Sequence, residues 1–115
     1  MQDKILKIAK GLGISLIRKD LYTLKYLYQI GESEFQWRKD LFNPYENDAD
    51  AFKVLQVLIA KCDTQILHSH GKYSVESIVY SDYLCSRIVL CHGSDKNLKA
   101  AICEAYLSLI QQEEG

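Results

Sequence analysis

An α+β fold is the class this sequence predicts, with an antiparallel sheet of about three to five strands packed with an N-terminal, a central and a C-terminal helix. Three observations carry it. Near both ends and after residue 48, apolar residues recur every three or four positions, as on a helix with one covered face. Between them lie short runs rich in β-branched and aromatic residues, or alternating in character, which suit strands. Glycines and a single Asn-Pro step punctuate the runs. The 115 residues predict one compact domain spanning 1–115, long enough for one core.

The first helix is expected over residues 2 to 10, with Ile5, Ile8, Ala9 and Leu12 on its buried side and Lys4, Lys7 and Lys10 solvated. Gly11 and Gly13 stop it, because a residue without Cβ enters the left-handed cap freely. Ile14 to Ile17 reads as a short strand. Residues 21 to 30 fit two periods: their tyrosines and Thr23 favour a strand, while Leu21, Leu24, Leu27 and Tyr28 also suit a helix. The strand is preferred, followed by a turn over Gly31 to Glu34 that leads to Phe35 and Trp37.

Pro44 fixes its own φ and pushes Asn43 out of the helical region, so the chain arrives extended and then turns. Asn47 or Asp48 can cap a helix that starts near Asp48, with Asp50 in its first turn at the positive end of the dipole. Asn43, Pro44, Asp48 and Asp50 therefore read as a structural motif. Phe52, Leu55, Leu58, Ile59 and Cys62 fall on the helix face that needs covering, with Lys53 and Gln56 opposite.

This Phe42-Asn43-Pro44 block, followed by Asn47, Asp50 and Ala51, resembles the aromatic-Asn-Pro block of small phage- and prophage-encoded proteins of the NinX-like or ABA-sandwich type. Asn47 and Ala49 depart from that pattern, which commonly has an acid and a glycine there. An N-terminal helix ending at Gly11, and a C-terminal helix with Ala101, Ile102 and Ala105, extend the likeness. The resemblance implies a phage or prophage origin and a small mixed fold, and it carries no active site. Small phage proteins of this kind imply stoichiometric inhibition or modulation of a host protein, such as a defence complex.

Thr64 to His68 and Glu76 to Tyr80 are expected to be extended around a Gly71 turn, and Tyr83 to Cys91 is the strongest strand. Apolar residues on both of its sides, with Arg87 on one, predict a central strand covered on two faces. Gly93 is expected to break it. Ser94 or Asp95 should cap the last helix, whose buried side is Leu98, Ala101, Ile102, Ala105 and Leu109.

With 48% apolar and 25% charged residues, the composition is that of a soluble protein, and no apolar run is long enough for a membrane span. The first residues lack the apolar stretch of a signal peptide, so a cytoplasmic location is expected. Cys62, Cys85, Cys91 and Cys103 are widely spaced in apolar segments and read as reduced core residues. The net charge of −1 argues against a nucleic-acid partner, although residues 1 to 40 hold eight basic and five acidic residues against six and ten in the remainder.

For chemistry, His68 and His70 straddle Ser69 and could ligate a metal with His92, but spacing alone is a weak signal and polar turns explain them better, so no metal or cofactor is expected. Glu46, Asp48 and Asp50 are better explained by capping than by a hard cation. No nucleophile elbow or phosphate loop occurs, so no enzyme is expected. Tyr22, Tyr26 and Tyr28 share parity, and with Trp37 they are the candidate partner-binding residues; the competing reading packs the tyrosines under the first helix. The functional expectation is a non-enzymatic protein that binds a host protein. A metal- or thiol-dependent enzyme using His68, His70 and His92, and a self-associating homodimer, are the alternatives.

Overall fold

A computed structural model describes residues 2–83 and 85–114, apart from the side chains of Ser81, Arg87 and Glu114. The chain divides at the Asn43–Pro44 step into two units, Met1–Asn43 and Pro44–Gly115. Three helices and two antiparallel three-stranded sheets give the α+β class, with two sheets where the sequence suggested one.

In the first unit, helix α1 (Gln2–Gly11) buries Ile8 and Ala9. It ends where Leu12 N–H reaches Ile8 O at 3.0 Å and Gly13, at φ +76°, turns the chain into β1 (Ile14–Lys19). The sheet order is β1-β2-β3, with β2 at Tyr26–Ile30 and β3 at Glu34–Arg38. Only the second half of the 21–30 run is strand. Asp20 explains the difference: its carboxylate accepts Tyr22 N–H and the Thr23 hydroxyl, both at 3.0 Å, and its carbonyl accepts Leu24 N–H. Leu24 completes the loop at φ +59°. These bonds hold the Asp20 carboxyl below the usual range, so the loop's lock is present at neutral pH and is lost as pH falls through that lowered value.

In the second unit, Pro44 and Tyr45 are buried, and α2 (Asp48–Lys61) starts where predicted. Asn47 is its cap, its Oδ1 accepting Asp50 N–H at 3.0 Å. Asn47→Ala is expected to cost about 1 kcal/mol in a thermal melt; an unchanged melting point would show the cap to be idle. The buried stripe is Asp50, Ala51, Val54 and Leu58, while Phe52 and Ile59 are each 57% exposed. The expected face is therefore rotated by about one position. Apolar residues run nearly all round this helix, so its period alone could not choose the covered side.

Cys62 N–H bonds Leu58 O as α2 ends, and β4 (Asp63–Ser69) follows at once. His70 and Gly71, at φ +54° and +75°, make the two-residue turn to β5 (Lys72–Ser81) that a hairpin of the primed type requires. Strand β6 (Ser86–Asp95) completes the order β4-β5-β6. It lies at the sheet edge, so the central strand is β5, and most of its first half is exposed. Leu84 and the Arg87 side chain, part of the strand expected over 83–91, lie outside the described residues. Cys85 is exposed in the preceding turn at φ +49°, contrary to a core role, whereas Cys91 and Cys103 are buried.

Gly93 does not break β6. It is buried within it, and a Cβ there would meet Ala101 O at 2.2 Å and Ala105 N at 2.3 Å, so it is the notch against which α3 (Leu98–Glu114) packs. The cap of α3 is Asn97, whose Oδ1 accepts Lys99 N–H at 2.8 Å; Asp95 instead holds Asn97 N–H. Ala101, Ile102, Ala105 and Leu109 are buried as expected, with Cys103 and Tyr106 added.

Candidate functional site

Strand pairing sorts the residues of the first sheet onto two faces. Ile14, Leu16 and Tyr28 lie on the side of α1, where with Leu6, Leu41 and Phe42 they line an apolar cleft of about 490 Å³. Lys10 and Tyr28 are the ionisable residues among those described along its wall, so it offers space for an apolar group and no acid–base pair.

The other face carries two cross-strand rows, Arg18–Leu27–Trp37 and Ser15–Gln29–Phe35. A bulge between Leu16 and Arg18 brings Arg18 opposite Leu27. Its guanidinium then lies 5.3 Å from the Trp37 ring centre, within reach of the ring's negative face. Phe35 is 61% exposed and Trp37 44%. Gln29 Nε2 donates to Glu32 O at 3.0 Å, which fixes the β2–β3 turn beside Phe35.

The candidate tyrosines separate. Tyr22 is 97% exposed, yet it sits in the Asp20 loop and not in a strand. Tyr26 is half-buried, with Lys19 5.4 Å from its ring. Tyr28 is 5% exposed, and its hydroxyl accepts Phe42 N–H at 2.9 Å, so it is core. The three do not form one row, because the shared parity ends where the strand ends. Trp37 keeps its place as an exposed aromatic, and Arg18 and Phe35 are the neighbours that the sequence reading missed. Equal parity of Phe35 and Trp37 was a visible signal; the partnership with Arg18 required the bulge.

The exposed Asp48 meets Lys99 Nζ at 2.9 Å, Asp50 is 1% exposed, and Glu46 is exposed. Pro44's neighbour Tyr45 donates its hydroxyl to Glu104 Oε1 at 3.1 Å; burial, then the Glu104 charge, pushes the phenol well above its ordinary range. Cys103 is pushed up to about 12 by burial and by Glu104, which leaves it a thiol at neutral pH.

The histidines are dispersed. His68 packs on Tyr73 with ring centres 4.5 Å apart, and His70 is in the hairpin turn. His92 stands across from Glu76, Nε2 to Oε1 3.9 Å, and Gln65 Nε2 donates to the other oxygen of that carboxylate at 2.9 Å. The register puts His68 in the row of Tyr73 and Asp95, three residues along from the row of His92. Among the described residues no group of three or more His, Cys, Asp or Glu is placed to hold a metal, and no helix is long and apolar enough to cross a membrane.

Compared with known protein families, curated proteins and solved structures, the chain matches none.

Proposed function

We propose that this chain acts without catalysis, by binding a partner protein through the exposed face of the β1-β2-β3 sheet. The observation that carries the reading is Trp37 and Phe35 standing exposed on one face with Arg18 over the indole. Large, stiff aromatics beside an arginine are the side chains that dominate binding energy at protein interfaces. The separation of His68 from His92, and a Cys103 thiol that burial keeps protonated, favour this reading over an enzyme built on those residues. Taken with the likeness of the Asn43-Pro44 block to small phage proteins, the partner we propose is a host protein in the cytoplasm, held stoichiometrically and modulated.

Affinity capture from a bacterial host lysate tests this with a Phe35→Ser/Trp37→Ser variant. The unmodified chain is expected to retain a partner near unit ratio, and the variant to lose it while keeping its circular dichroism spectrum. Equal retention of that partner by the folded variant would remove the face from the account.

A further inference from the structure

We propose that the segment docking on this face is an acidic stretch of the partner protein, its apolar side chains on Trp37 and Phe35 and its carboxylates at the Arg18 end; this rests on the face being the binding surface. Charge is the argument. Met1–Asn43 holds eight basic and five acidic residues, a surplus of three positive charges, while Pro44–Gly115 holds six and ten. Within the first unit the cations gather at one end of the sheet. Arg18 and Lys19 end β1, Lys25 precedes β2, and Arg38 ends β3 with Lys39 after it.

Two carboxylates share that end. Asp20, which stays ionised while it accepts Tyr22 N–H and the Thr23 hydroxyl, and Asp40 stand against five cations there, of which Lys19 and Arg38 lie over rings, at Tyr26 and at Tyr28 and Phe42. Arg18 is the one charged residue in the two rows of the open face. Glu32 and Glu34 lie at the opposite end, in the β2–β3 turn and at the start of β3. This polarity separates an acidic peptide from a nucleic acid. A phosphate backbone carries a charge at every step and needs cations along its whole track, whereas Arg18 is the one cation that the rows of this face present to it. A segment with carboxylates at one end and apolar residues beyond meets the cationic surplus at the Arg18 end and no acid in the two rows of the open face. Because these charges are exposed, their attraction is screened by salt and acts strongly on the rate of encounter.

Trp37 is the chain's single tryptophan, so its emission reports on this face alone. The full chain is titrated with a short peptide alternating glutamate and leucine, with its lysine–leucine counterpart, and with a short oligothymidylate. The glutamate peptide is expected to change Trp37 emission saturably and to weaken as salt is raised. Arg18→Gln should weaken it about tenfold or more with circular dichroism unchanged, while Lys53→Gln on α2 should not. A response to the oligothymidylate or the lysine peptide alone, no response to the glutamate peptide, or an unchanged titration in folded Arg18→Gln would each overturn the acidic assignment. So would a dimer in sedimentation that Arg18→Gln dissociates, which would make a second copy the occupant. If these fail while Phe35→Ser/Trp37→Ser still abolishes capture, the face stands as the binding surface and its preference for acid is wrong.

Discussion

Gly93→Ala is expected to destabilise the protein by about 3 kcal/mol or more, at the upper end of what overpacking costs, because the added methyl has no flexible neighbour to displace. It would sit 2.2 Å from Ala101 O and 2.3 Å from Ala105 N, both backbone atoms of α3, so the helix must lift from β6. That separation also loosens the contacts of Ala101, Ala105 and Tyr106, which are buried. Urea unfolding followed by circular dichroism measures the change. A loss under about 0.5 kcal/mol, the range of ordinary surface substitutions, would show that α3 does not lie in the Gly93 notch.

Tyr28→Ala is expected to cost about 3–5 kcal/mol, the range for a buried large aromatic. Two losses combine: the ring leaves a hole beside Ile14 and Leu16, and Phe42 N–H loses its acceptor. Tyr28→Phe should cost about 1–3 kcal/mol, since it keeps the ring and leaves that buried N–H without a partner. Tyr22→Ala, at a ring 97% exposed, should stay within about 0.5 kcal/mol. The same unfolding measurement compares the three. Similar losses at positions 22 and 28 would mean that the tyrosines do act as one row and that the Asp20 loop is not where it is described.

What the sequence made legible is what local chemistry decides. The start of α2 follows from Pro44 and Asn47, which act on neighbours three residues away, and the hairpin at Gly71 follows from backbone freedom at the turn. Ala101, Ile102, Ala105 and Leu109 of α3 were legible from their spacing, whereas Cys103 and Tyr106, off that stripe, are buried because the helix is apolar nearly all round in its middle. Features that depend on distant partners were not legible. Gly93 looks like a strand stop until α3 is laid over it, and the 83–91 run looks central until β5 takes the middle of the sheet. Residues 21–25 carry strand propensity, but one carboxylate at Asp20 collects enough N–H and O–H groups to bend them into a loop. For the candidate site, Trp37 was named from residue type alone. Its pairing with Arg18 depends on the bulge at residue 17, which changes which β1 side chain stands opposite Leu27.

The central claim is that this open sheet face meets a partner, and site-specific photo-cross-linking tests it most directly. A photoreactive benzoylphenylalanine replaces Phe35 in one variant and Phe52, an equally exposed aromatic on α2, in another. Both are irradiated in host lysate and the adducts are identified by mass. The account predicts one discrete adduct from position 35, competed away by unmodified chain, and none of that mass from position 52. No adduct from position 35, or the same adduct from both positions, would contradict it.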